Sequence, residues 1–464
     1  MKDLIERALE TARARGAYYA DVRWGHRERQ LIVVKDHKVD LQSVESLGFG
    51  VRVLVNGAWG FASSSRLNLK EGDRVAALAV RLAKASALTQ GRPVDLGRPR
   101  PVVAEYRTPV KTDPFSVPTE KKIDLLLRAC QAMRAVPRIS SAEGSIEVTR
   151  DRKTFASTEG SFIQQEFWET GCGLEATAVG QGEVQRRSYP NSVGRHQGKE
   201  GWEFVERYDL AGQAPRIAEE AVALLSAKPC PSGTKPVILG GSQVALQVHE
   251  SCGHAIELDR VLGTEAGYAG TSFLTPDKLG HFRYGSEVVN ITADATIPGG
   301  LGTFGYDDEG IPAQAVPVVR QGTFVGYLTS RETAAHLGQE SNGAARAEGW
   351  NRLPLIRMTN VNLEPGPWSL EDLIADTDDG ILMETNMGWS IDDRRLNFQF
   401  STEVAWEVIK GKRGALVRNA TYAGITPQFW GSCDAICDRT HWTIWGTPNC
   451  GKGQPMQLAR VGHG

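Results

Sequence analysis

The chain has 464 residues, too long for one ordinary domain and suited to two or three. With 41% hydrophobic, 23% charged and 8% aromatic residues it has a globular composition, which excludes disorder and coiled coil. Lysine plus arginine (53) nearly cancels aspartate plus glutamate (55), so no basic excess draws it to nucleic acid or an anionic membrane.

Leu4, Ile5, Ala8, Leu9 and Ala12 share one face at helical spacing, predicting an N-terminal amphipathic helix rather than a targeting segment. From Tyr18 to Ala62 the pattern alternates with period two, predicting strands at 21–24, 30–34, 39–41 and 50–55. Asn56-Gly57 between two such runs is a hairpin signal. Gly48 and Gly50 resemble a dinucleotide loop, but a strand follows them and no helix, so they are read as sheet glycines. Helices are predicted near 72–87, 120–135 and 214–227, with strands between 140 and 189. The stretch 228–236, rich in proline and polar residues, is the best linker. Beyond it come a short strand at 237–239, a helix from about Ser242, and mostly short strands and turns after Leu262. The expected fold is α+β: a mixed α/β N-terminal domain, 1–228, and a mainly β C-terminal domain, 235–464, which carries the helix from Ser242. No apolar run approaches the ~18 residues of a membrane span. Seven scattered cysteines do not form a disulfide framework, so the expected location is the cytoplasm.

The segment 248–259 concentrates two of the nine histidines with several acids. His249, Glu250 and His254 are spaced H-E-x-x-x-H, one residue longer than the H-E-x-x-H of common metallopeptidases. At ~100° per residue, an offset of five would turn the two rings about 140° apart on a regular helix. A π-type turn, which Gly253 could assist, would bring them back into register; two unrelated helix histidines are the other reading. A zinc site needs at least one more ligand, with Glu257, Asp259 or a distant cysteine as candidates. Cys450 lies in a tight glycine turn but could equally be a small buried hydrophobe. Cys433 and Cys437, four apart, are read as packing residues, and Cys252 would point away from a site that the histidines form.

These residues resemble the TldD/PmbA family of zinc metallopeptidases, on the TldD side. The histidine helix carries its signature, and further segments resemble it in order: 48–53 with 60–63, the acidic turn 306–314, 353–360, and Asn449 to Lys452. The resemblance implies zinc held by His249, His254 and Cys450, with Glu250 as general base and acid. The implied activity is hydrolysis of unfolded or post-translationally modified peptides by a metal-activated water. It also implies a dimer, with a PmbA/TldE-like subunit or with itself. Two rival functions are a non-catalytic peptide-binding or assembly subunit and a zinc enzyme modifying a natural-product peptide. Asp307, Asp308 and Glu309 are candidates for lining the substrate groove, or form a solvated loop. Arg357 and Asn360 are candidates for positioning a peptide backbone, or belong to the core edge, and Arg346 and Glu348 are of the same kind. His463 is left unassigned.

Overall fold

Apolar spacing at the N-terminus produces α1 (Lys2–Ala14), whose Leu4, Ile5, Ala8 and Ala12 are buried. The computed structural model describes residues 1–89, 91–99, 101–192 and 196–464. The strands foreseen at 21–24 and 30–34 fuse into one, β1 (Tyr19–Lys35), and those at 39–41 and 50–55 into β2 (Lys38–Val55). Their register runs unbroken from Tyr19↔Leu54 to Lys35↔Lys38. Polar residues hid that continuity, because β2 is exposed at every position from Lys38 to Ser46, and a ribbon solvated on both faces carries no apolar alternation. β3 (Ala58–Ser64) follows a turn in which Asn56 and Gly57 both have positive φ, 52° and 79°, as a primed hairpin turn requires. Gly48 and Gly50 lie within β2, and an added Cβ at either would fall 2.6 Å from the Trp350 ring or 2.2 Å from its carbonyl. Close packing explains both glycines.

Asn68 caps α2 (Leu69–Ser86) by accepting from the Glu71 N–H at 2.9 Å. After β4 (Val103–Arg107) come α3 (Thr119–Arg134), β5 (Ile139–Ser157), β6 (Phe162–Gly180), β7 (Glu183–Tyr189), β8 (His196–Gly198), α4 (Glu203–Arg207) and α5 (Leu210–Ser226). The strands form one eight-stranded sheet in the order β3-β2-β1-β5-β6-β4, with β7 and β8 also on β6. α1 and α2 bury one part of it around Phe49, Val51 and Val53. α3 and α5 bury another around Ile146, Val148 and Leu174. Burying side chains of this size stabilises the fold by roughly 1.5–3 kcal/mol each.

In the stretch 228–236, β9 (Lys228–Pro229) pairs with a strand of the second half, and β10 (Val237–Leu239) leads into α6 (Gly241–Val248). α7 (Leu258–Val261) is short. β11 (Ile291–Asp294), β12 (Ala315–Arg320) and β13 (Thr323–Phe324) follow, then α8 (Arg331–His336), β14 (Ala345–Arg346), β15 (Leu355–Ile356) and β16 (Val361–Leu363). After α9 (Leu370–Asp376) come β17 (Asp379–Ile391), β18 (Asn397–Ile409), β19 (Lys412–Arg418) and β20 (Thr421–Ile425). The chain closes with the hairpin β21 (Trp445–Lys452) and β22 (Gln457–His463). β10-β17-β18-β19-β9 form a second sheet, with β20 on β18, and β13-β12-β11-β16 a third. The architecture is α+β, with short strands prevailing after residue 262 as expected. A core around Val248, Cys252, Ile256, Phe324 and Val461 joins α6, the third sheet and the terminal hairpin. That core places the chain's last strands against its histidine segment.

Candidate metal centre

The helix that begins at Gly241 does not remain regular through the histidines. At His249–Gly253 it widens by one residue, and the His254 N–H donates to the His249 carbonyl, an i→i+5 bond. The extra residue turns the two imidazoles to the same side, with ring centroids 4.9 Å apart and planes at 86°. Gly253 has ordinary right-handed helical angles, φ −53° and ψ −53°, so its backbone freedom is not what permits the turn. An added Cβ there would fall 2.3 Å from the Met358 sulfur, so the glycine provides room.

Cys450 reaches the histidines from β21, beside an irregularity in the pairing with β22. The candidate ligand atoms of His249, His254 and Cys450 all lie within 4.8 Å of one another, and the three residues are buried. Cys450 Sγ is 3.6 Å from His254 Nε2. Zinc bonds of ~2.3 Å to sulfur and ~2.05 Å to nitrogen at a tetrahedral angle also put these atoms about 3.6 Å apart.

Hydrogen bonding sets the histidine tautomers. His463 Nδ1 faces the Val361 carbonyl at 3.1 Å and must donate to it, which leaves His463 Nε2 as an acceptor. His249 Nδ1, 2.8 Å from that nitrogen, is then the donor, and its Nε2 carries a free lone pair. His254 Nδ1 donates to Glu257 Oε2 at 3.0 Å, so its Nε2 is free as well. Outer partners of this kind orient metal-binding imidazoles. Burial pushes the Cys450 thiol up, but His254, His249 and Arg357 outweigh it and hold the thiol well below its usual value. Burial lowers His249, yet the charge of Cys450 outweighs that and raises it. His254 is held well below its usual value by burial. Two imidazole lone pairs and a thiolate facing one another call for a cation between them, and the donor set suits zinc.

Glu250 is buried beside this trio and forms an ion pair with Arg395, in the turn between β17 and β18. Glu257 and Asp259, the alternative ligands, are engaged elsewhere. Lys452 Nζ lies 3.4 Å from Glu257 and donates to Asp259 at 2.7 Å. Lys452 therefore holds the carboxylate that orients His254, while the cation acting on the thiol is Arg357. Cys252 is buried in the core. Cys433 and Cys437 belong to no cluster of three or more metal-binding groups among the described residues.

The acidic turn is not solvated. Asp307 is 1% exposed and accepts from the N–H groups of Glu309, Ile311 and Ala345. Burial, then Glu309, pushes its carboxyl well up. Asp308 pairs with Lys153 at 3.1 Å and accepts from the Ala347 N–H, and it lines a cavity. Burial alone would raise it, but Lys153 and Arg23 hold it below its usual value. Glu309 pairs with Arg52 at 3.1 Å and accepts from the Arg331 N–H. Asn360 bonds to Gly302 N, Asp294 O and Thr303 Oγ1, and lies against Gly462 in the terminal hairpin. Arg357 donates to the carbonyls of Cys450 and Gln457 and lines the same cavity as Asp308. These groups bind protein atoms, and Asp308 and Arg357 also border open space.

Two neighbours of the donors receive no role from the sequence: His463 stays unassigned and Arg395 is not singled out. His463 lies 214 positions from His249; its only signal was membership of a small histidine set. Arg395 lies 145 positions from Glu250. It stands in a polar turn like many others, and nothing local marks it.

Three segments match parts of one family: residues 20–85 match PmbA/TldA metallopeptidase domain 1, 112–228 its central domain, and 232–458 its C-terminal domain. A metalloprotease of Methanocaldococcus jannaschii is 32% identical over 433 residues, covering 93% of this chain and 91% of the relative. A zinc metalloprotease TldD homolog of Saccharolobus solfataricus is 23% identical over 432 residues, covering 90% and 88%. The crystal structure of TldE from Thermococcus kodakarensis shares the fold, with a TM-score of 0.73 and 17% identity over 99% of this chain and 98% of that one. No helix among the described residues is long and apolar enough to cross a membrane.

Proposed function

The chain belongs to the PmbA/TldA metallopeptidase family, and from that premise we propose that it is a zinc-dependent peptidase of the TldD type acting on unfolded or post-translationally modified peptides. The observation that carries the reading is the convergence of His249, His254 and Cys450 beside Glu250. A non-catalytic subunit would have no need of three mutually facing donors and an adjacent carboxylate.

In this reading His249 Nε2, His254 Nε2 and Cys450 Sγ hold the ion. When bound, zinc would polarise a scissile carbonyl and bring the pKa of water towards ~7. Glu250 is the general base, taking a proton from the attacking water and passing it to the leaving amine. Arg395 fixes the direction in which Glu250 points. His463 and Glu257 keep both imidazoles in the tautomer that presents Nε2. Burial of the donors excludes bulk water from the reacting groups. The same reading places the chain in the cytoplasm, supported by its seven free cysteines, and in a dimer with a TldE-like subunit or a second copy.

The test is zinc content and hydrolysis of an unstructured peptide, measured on fresh protein and after a chelator. Near-stoichiometric zinc and chelator-sensitive cleavage are expected; full cleavage by metal-free protein would overturn the reading.

A further inference from the structure

A cavity of about 60 Å³ lies against the hairpin that carries Cys450: Ala459, the register partner of Cys450, lines it. Six cations and four carboxylates surround this space. Three pairs are internal: Arg27 with Asp151, Lys153 with Asp308, and Arg460 with Glu169. The fourth carboxylate, Glu348, accepts from the Leu458 N–H. Lys199, Arg346 and Arg357 remain, and among the described residues they donate to backbone carbonyls and pair with no carboxylate. Lys199 reaches Thr303, Arg346 reaches Arg460 and Met358, and Arg357 reaches Gln457 and Cys450. The Nε–H groups of Arg346 and Arg357 are buried and unpartnered. Burial pushes Lys199 down to about 7 and Arg346 down to about 10, as expected where the local counter-charge is incomplete.

Buried cations are costly without counter-charge, and six cations against four carboxylates leave an excess of two positive charges around one void, which favours an anion inside it. The space is several times the ~10–15 Å³ that one water needs, enough for a carboxylate. The void shares Lys153, Asp308 and Glu348 with a second cavity of about 200 Å³, bordered by Trp24 and Trp350, which has room for the chain bearing that group.

We infer that the smaller cavity is a carboxylate-binding subsite for the peptide, with Lys199, Arg346 and Arg357 supplying the counter-charge. The inference rests on the peptide reading above. The carboxylate is a C-terminus or an acidic side chain, and two pairs of probes separate these sources. One unstructured peptide is made as free acid and as carboxamide. The carboxamide is also made with a central Glu and with Gln in its place. Binding is measured by calorimetry on the zinc-loaded Glu250→Gln chain, which does not require turnover. The charged member of at least one pair should bind roughly tenfold tighter or more. Lys199→Met and Arg346→Met should abolish that difference, weakening the charged peptides by a larger factor than their neutral partners. Should either variant misfold by circular dichroism, acetate at constant ionic strength should weaken the preferred acid and spare its neutral partner. No discrimination in either pair, discrimination that survives both variants, or no peptide binding at all would overturn the inference. Peptides bound with discrimination yet never cut by the native chain would instead remove the hydrolase reading and leave the subsite.

Discussion

The histidine turn and the acidic turn look alike in sequence, each a short run dense in ionisable groups, yet the fold treats them in opposite ways. At Asp307 to Glu309 every carboxylate meets protein donors: three backbone N–H groups on Asp307, Lys153 on Asp308, Arg52 on Glu309. At His249, His254 and Cys450 the outer atoms are satisfied and the inner lone pairs face one another. A density of charge therefore does not mark a metal centre. Donors left facing a common point, with their other atoms already bonded, do.

Variants can break or sharpen this contrast. The largest expected effect is on rate: in the proposed mechanism Glu250 moves protons and holds no metal, so Glu250→Gln should lower peptide hydrolysis by ~10²–10⁴-fold with zinc still bound. Near-native turnover in that variant would remove it from the mechanism. Next is Cys450→Ser, which should weaken zinc binding by more than ~100-fold, exceeding the effect of losing an outer partner, and reduce activity in step. Cys437→Ser measured beside it should retain both; full zinc in Cys450→Ser would move the third ligand elsewhere. His463→Phe keeps a ring but loses the acceptor of the His249 proton, and zinc affinity should fall by ~10–100-fold.

The acidic turn should respond in the other currency. Asp307→Ala strands three backbone N–H groups and should cost about 2–4 kcal/mol of stability in denaturant titrations, with zinc content unchanged. Metal loss from folded Asp307→Ala protein would erase the distinction between the two turns. A smaller effect concerns Glu403, which accepts from Ser188 N, Ser188 Oγ and Arg187. Burial outweighs those partners and pushes it up to about 7. Its folded value exceeds the unfolded ~4.3. The stability it contributes is therefore full below pH ~4.3 and lost as pH rises through about 7, a change of at most ~3.7 kcal/mol. Glu403→Gln should flatten that part of the stability–pH curve; an unchanged slope would show that other groups produce it.

Local geometry made part of this structure legible without coordinates. An offset of five between two histidines on one helix demands an extra residue in the turn if they share a ligand, and the i→i+5 bond at His254 supplies it. Asn56-Gly57 encodes its own hairpin, because few other residue pairs adopt two consecutive left-handed conformations at low cost. The fused strands β1 and β2 were legible only in pieces, since their polar middle is held by neighbouring strands rather than by apolar alternation.

The linear chain thus specified short-range choices: which segments coil, where the backbone turns, and which residue types could bind a soft cation. Tertiary structure alone decided that Cys450 meets His254 across 196 positions, that His463 sets the tautomer of His249, and that Arg395 orients Glu250. It also decided that Asp307 is a buried anchor instead of a solvated loop, and that three cations share a void without carboxylate partners. The physical reason is range. Helix and turn preferences act between residues a few positions apart and leave a periodic trace, whereas the satisfaction of a buried donor depends on which distant strand the core brings beside it.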